Sequence, residues 1–99
     1  MDMTEEQINK LINKLDDEDY DVRKNVEDIL VKIKQQSIGP LIKALNHENP
    51  EIQIESARIL GKMADETALN ALIEALKDGN PDFRREVTLS INKIVEKDD

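Results

Sequence analysis

Ile8, Leu11, Ile12 and Leu15 stand at i, i+3, i+4 and i+7, and the same string returns at Ile38, Leu41, Ile42 and Leu45 and again at Leu69, Leu72, Ile73 and Leu76. That spacing gathers four aliphatic side chains on one face of a helix. The three strings are offset by 30 and 31 residues. Each is followed at the same distance by a polar turn: Asp17-Glu18-Asp19-Tyr20, His47-Glu48-Asn49-Pro50 and Asp78-Gly79-Asn80-Pro81. An Asn side chain can cap the free N–H groups of a helix start, and proline fits the first helical position because no hydrogen bond is lost there. Asp19-Tyr20 is the same start without the proline.

A second helix is predicted to leave each turn. Its apolar positions align too, as Val22, Val26, Ile29, Leu30 and Ile33, then Ile52, Ser56, Ile59, Leu60 and Met63, then Phe83, Val87, Ser90, Ile91 and Ile94. Two helices and a turn thus share one register three times, which identifies an internal repeat rather than chance alternation. Thr4-Glu5-Glu6-Gln7 reads as a capping box opening the first helix. Lys34-Gln35-Gln36-Ser37 and Ala64-Asp65-Glu66-Thr67 read as short linkers, with Ser37 an expected N-cap and Pro40 in the first turn of the helix after it. The expected organisation is one domain over residues 1–99, with repeats at about 4–34, 35–64 and 65–97. Three helix pairs are about the fewest that can bury each other's stripes, so the chain is expected to be a complete minimal stack, with a piece of a longer array as the alternative.

The segments Leu45 to Met63 (LNHENPEIQIESARILGKM) and Leu76 to Ile94 (LKDGNPDFRREVTLSINKI) resemble the short HEAT repeat, whose pattern runs roughly L-x-D-x-D-P-x-V-R-x-x-A-A-x-A-L-G-x-I. Leu15 to Ile33 fits the same frame, and the resemblance runs from Ile8 to Ile94. The period is shorter than that of long HEAT and armadillo units and similar to the compact repeats of phycobilin-lyase-type proteins. The resemblance implies an all-α fold, a right-handed α-α superhelix of three two-helix repeats, about six helices in all. It places first helices on the convex side and second helices on the concave side. It also implies a link between neighbouring repeats through a turn Asp and a following Arg. Asp17 and Arg23 keep that pair, as do Asp78 and Arg84, whereas the middle repeat has His47 and Gln53. The family's small residue in the second helix is Ala57 in repeat two, Thr88 in repeat three and Glu27 in repeat one. A carboxylate at that place is expected to mark a terminal repeat with no neighbour to bury it.

Composition narrows the function. Charged residues make up 36% and the net charge is −8. An acidic chain lacks the basic stripe that releases counterions from nucleic acid, and it is repelled by anionic membrane surfaces. Neither nucleic acid nor membrane is therefore an expected partner. Residues 1–34 carry −4, residues 35–64 carry 0 and residues 65–99 carry −4, so self-association is expected, if at all, through the neutral middle, giving a monomer or a weak homodimer. There is no cysteine, hence no disulfide framework and no thiolate ligand or nucleophile. The N-terminus has no apolar segment of a signal peptide, and a cytoplasmic location is expected.

Candidate chemistry is sparse. Asp17, Asp19 and Asp21 have the spacing of a calcium loop with Asp28 at its twelfth place, but the sixth place, which needs glycine, holds Val22. These acids read instead as a turn whose charges favour a helix N-terminus. His47 is the only histidine and reads as a turn residue rather than a zinc ligand. Ser37, Ser56 and Ser90 lie in no nucleophile elbow, and Gly39, Gly61 and Gly79 are too scattered for a phosphate loop. No catalytic residue, metal or cofactor is assigned, and no enzyme is expected.

The remaining signal is apolar residues on the polar side of the second helices. Positions 24, 54, 85 and 28, 58, 89 fall opposite the core stripe at 100° per residue. Lys24, Asp28, Arg58 and Arg85 are charged, but Ile54 and Leu89 are not. Ile54 and Leu89 flanked by Arg58 and Arg85 form an expected anchor-and-rim surface for a protein or peptide on the concave face. The leading expectation is a non-enzymatic interaction module. The alternative, from the lyase-type relatives, is an accessory subunit of an enzyme complex. Far-ultraviolet circular dichroism is expected to show helix throughout; substantial sheet would overturn the repeat reading.

Overall fold

The computed structural model describes residues 1–97 and consists of six α-helices. They are α1 (Glu5–Ile12), α2 (Tyr20–Lys32), α3 (Lys34–Ala44), α4 (Pro50–Met63), α5 (Leu69–Ala75) and α6 (Pro81–Lys97), with one 3-10 turn at Glu66–Ala68 before α5. They form three helix pairs, an all-α, HEAT-like solenoid. First helices lie beside first helices, as α1 against α3, and second helices beside second helices, as α2 against α4 and α4 against α6. The last of these contacts is the most extensive.

The starts of the helices obey the capping chemistry of the sequence. Thr4 and Gln7 form the reciprocal capping box. Asp19 accepts the N–H groups of Asp21 and Val22, Asn49 that of Glu51 and Asn80 that of Asp82. One residue type departs from the repeat but not from its role. Asp17 and Asp78 accept the N–H of the capping residue two places on, and in the middle turn the His47 Nδ1 does the same for Asn49 at 2.9 Å.

The expected Asp–Arg link between repeats is not what these residues make. Arg23 donates to the backbone carbonyl of Asp17, and Arg84 to that of Asp78 at 3.0 Å, each within its own repeat. Gln53, at the arginine position of the middle repeat, donates instead to the Leu45 carbonyl at 2.9 Å, two residues earlier in its turn. The turn carbonyls at the end of a first helix have no partner within that helix, so a long donor from the second helix satisfies them and ties the pair together.

Ser37 also departs from expectation. The helix starts earlier, at Lys34, so Ser37 is no cap; its hydroxyl is fully buried and donates to the Leu30 carbonyl at 2.6 Å. That carbonyl lies in the last turn of α2 and needs an outside donor because the chain bends sharply at Ile33. Pro40 accordingly stands inside α3 rather than in its first turn.

The apolar stripes supply the core. Ile8, Ile12, Leu15, Leu30, Leu41, Leu45, Ile59, Leu60, Leu72, Phe83, Val87 and Ile94 are buried. Exposure of one repeat position rises along the stack: Ile12 is 2% exposed, Ile42 is half-buried, and Ile73 is 52% exposed. The third stripe is therefore not wholly core. Ile12 and Ile42 each have a following first helix beside them, and Ile73 has none among the described residues.

Packing is tightest where α4 meets α6. Ser90 donates from its buried hydroxyl to the Ala57 carbonyl at 2.6 Å. A Cβ on Gly61 would lie 2.7 Å from the Ser90 Cα, so glycine is what lets the two backbones approach. Three residues on, Ala64 closes α4 in the left-handed region at φ 52°, where glycine is the unstrained choice. Opposite outcomes are expected from opposite substitutions. Gly61→Ala overpacks against backbone, at about 1–3 kcal/mol, which exceeds its gain in helix propensity of about 1 kcal/mol. Ala64→Gly relieves the left-handed strain and raises stability by about 1 kcal/mol. Urea denaturation of both variants checks the pair of signs.

Candidate interaction site

The second helices offer the surface on which side chains of adjacent repeats meet without a covering layer. Between α2 and α4 lies a cleft of about 280 Å³, lined by Tyr20, Arg23, Lys24, Glu27, Glu55 and Arg58. Its floor is Glu27. The sequence suggested a terminal carboxylate with nothing to bury it, but Glu27 is only 1% exposed. Its neighbour is the middle repeat. Lys62 approaches one carboxylate oxygen at 2.6 Å and Lys24 the same oxygen at 3.2 Å, while Arg58 pairs with the other. Arg58 also donates to Glu55 at 2.6 Å.

This arrangement governs the titration of Glu27. Burial alone would push its carboxyl upward. Hydrogen bonds from Lys62 and Arg58, the Arg58 charge and the Lys24 hydrogen bond outweigh burial and hold it at about 2, against an ordinary 4.5. Glu27 therefore stays ionised and gathers three long cationic side chains around one buried charge. Above it, the Arg23 guanidinium lies 5.8 Å from the centre of the exposed Tyr20 ring. Among the described residues no carboxylate pairs with Arg23.

The four residues singled out in the sequence are placed as follows. Ile54 is half-buried against the core rather than free, and borders a small hollow with Leu15, Arg23, Glu51 and Glu55. Arg58 is a wall of the α2–α4 cleft, committed to Glu27 and Glu55. Arg85 is exposed and paired with Asp82. Leu89 is 55% exposed and borders a different hollow, with Thr88, Ile91, Asn92 and Val95. Ile54 and Arg58 thus neighbour each other through Glu55, while Leu89 and Arg85 lie on α6. Sequence reasoning missed the Glu27 cluster altogether. Its signal was present: a Glu at a small-residue position, with Arg58 and Lys62 one turn apart on the corresponding helix of the next repeat.

These helix pairs, with their shared turns and shared first- and second-helix faces, have the make-up of a known repeat. The family model for HEAT repeats matches residues 8–92. The chain belongs to the HEAT-repeat family. No curated protein matches it. HEAT repeats are generally interaction and scaffold modules, typically without catalysis. In this HEAT-repeat chain no helix among the described residues is long and apolar enough to cross a membrane, and no group of three His, Asp or Glu residues is arranged to hold a metal ion. Asp17 and Asp19, two of the acids with calcium-loop spacing, spend side-chain oxygens on backbone N–H groups.

Glu27→Gln is expected to cost about 1–3 kcal/mol at neutral pH, because three cations lose a charged acceptor. The pH dependence has a definite sign. A carboxyl held below its ordinary value stabilises the fold above pH 4.5 and loses that contribution as pH falls toward 2. The native chain should lose more stability than Glu27→Gln across that window. Denaturant titrations of both proteins at pH 7, 4.5 and 2.5 provide the check.

Proposed function

We propose that this HEAT-repeat chain is a non-enzymatic interaction module that holds a protein or peptide on the face built by α2, α4 and α6. The observation that carries the reading is the side-by-side stacking of those helices, which makes a continuous surface from three separate parts of the sequence. A surface of this kind suits an extended partner better than a small substrate, since it is spread over three helices rather than gathered in one deep cleft. The α2–α4 cleft gives the face relief and prearranged donors, because Glu27 holds Lys24, Arg58 and Lys62 in place. Ile54 and Leu89 are the apolar anchors, Arg58 and Arg85 the polar rim. Such a module works in the cytoplasm without cofactor or metal.

Capture of a partner from native extract, followed by mass spectrometry, tests the reading. Ile54→Asp combined with Leu89→Asp is expected to leave helicity intact and abolish capture. Because Ile54 touches the core, Leu89→Asp alone serves as a second variant at an exposed position and is expected to weaken capture several-fold. Capture unchanged in both variants would refute this face.

A further inference from the structure

The chain carries a net charge of −8, yet the cleft between α2 and α4 has the opposite sign. Arg23, Lys24 and Arg58 line it as cations, against the carboxylates of Glu27 and Glu55. Asp28 and Lys62, which pair with members of the cleft, bring one charge of each sign and leave the balance positive by one. The floor offers nothing to an incoming cation. One oxygen of Glu27 is taken by Arg58, and the other by Lys62 and Lys24.

Arg23 carries the charge that is left over. Its guanidinium donates to the Asp17 carbonyl and pairs with no carboxylate among the described residues. A guanidinium is a planar fork of five N–H donors, built for a carboxylate. That fork is held at the wall of the cleft from two sides, by the Asp17 carbonyl and by the Tyr20 ring, whose centre lies 5.8 Å away. Lys24, 42% exposed, adds an ammonium at the rim. Arg23 and Glu55 also wall the neighbouring hollow of about 140 Å³, where Leu15 and Ile54 lie. A cationic cleft and a partly apolar hollow are therefore adjacent and share two side chains.

We infer that the α2–α4 cleft seats one carboxylate of the bound peptide, an Asp or Glu side chain held by Arg23 and Lys24, with an aliphatic side chain of the same peptide in the hollow beside Ile54. The inference rests on the reading of this face as a peptide-holding surface and names the chemistry of its partner. Side chains two residues apart share one side of an extended chain, so the acid and the aliphatic residue are separated by one position. The single excess charge suits a carboxylate. A phosphate monoester brings about two negative charges and sets one of them, uncompensated, against Glu27 and Glu55.

Nuclear magnetic resonance of the isotope-labelled chain, titrated with end-blocked tripeptides, tests this. Acetyl-Glu-Ala-Leu-amide is expected to shift the amide signals of residues 20–27 and 51–58, with a dissociation constant on the order of 1 mM. Gln in place of Glu in the probe loses the charge-assisted hydrogen bonds and is expected to bind about tenfold more weakly. Ala in place of Leu is expected to weaken it several-fold. Arg23→Gln is expected to weaken the Glu probe about tenfold. Glutamine already stands at this place in the middle repeat, as Gln53, so the fold accepts it, and thermal melts check that. Arg84→Gln, the matching change on α6, is expected to leave probe binding unchanged. Glu and Gln probes that bind alike overturn the inference, as do an Ala-for-Leu probe that loses nothing and an Arg23→Gln chain that binds like the native one. A phosphoserine-Ala-Leu probe that binds more tightly than the Glu probe overturns it in favour of a phosphopeptide. If the Glu probe fails while Leu89→Asp still weakens partner capture, the carboxylate seat falls and the interaction face stands.

Discussion

A pair of amphipathic helices cannot cover its own apolar stripes, and so the fold depends on how closely the second helix of one pair approaches the second helix of the next. One repeat position sets that approach. Ala57 is small, and Ser90 of α6 reaches its carbonyl while Gly61 clears the way. Glu27, at the same position one repeat earlier, draws Arg58 and Lys62 across the seam and leaves a polar cleft where the later pair has backbone contact. Thr88, one repeat later, is exposed. Three residues at one place in the register therefore give three kinds of surface: an exposed face, a closed seam and a charged furrow.

The buried carboxylate is a choice with a cost. Desolvating Glu27 is unfavourable, and only the convergence of three cations makes it tolerable. A hydrophobic residue there would be at least as stable by the usual comparison of buried ion pairs with apolar replacements. What the carboxylate adds is order in the side chains around it. Lys24, Arg58 and Lys62 are each about 40% exposed, so their donors reach solvent while their positions are set from below. A binding face assembled from long flexible side chains loses less entropy on capture when a buried counter-charge already holds them.

Much of this was legible in the sequence, and what was not has a common cause. The stripes and caps are local: Thr4 with Gln7, or Asn49 ahead of Pro50, act on neighbours within one turn. Spacing alone reveals them. Glu27 was misread because its partners lie 31 and 35 residues away, and residue type at one position does not say whether the next helix brings a counter-charge. Ser37 was misread for the same kind of reason, since the carbonyl it satisfies belongs to the preceding helix. Ile54 looked exposed by helical angle, but a residue opposite its own stripe can still be half-buried against the core, here beside a hollow that Leu15 of the preceding repeat also lines. The turn arginines were placed in the right positions with the wrong acceptor. Their target is a backbone carbonyl, which every residue possesses and no sequence displays.

That last point explains how the middle repeat keeps the fold with different residues. His47 and Gln53 lack the charges of Asp17 and Arg23, yet the ring nitrogen accepts the capping N–H and the amide donates to the turn carbonyl. What the repeat keeps is one acceptor and one long donor at fixed places, each satisfying a backbone group of its own turn, although Gln53 reaches a carbonyl two residues earlier in the register than the arginines do. Charge at those places is then free to vary. The middle repeat uses that freedom: it is neutral between two acidic neighbours, and it spends its own cations, Arg58 and Lys62, on the carboxylate of the repeat before it. The stack is thus joined unequally, by ion pairs at one junction and by backbone proximity at the other, although in every repeat a long donor from the second helix ties down a carbonyl of the turn before it.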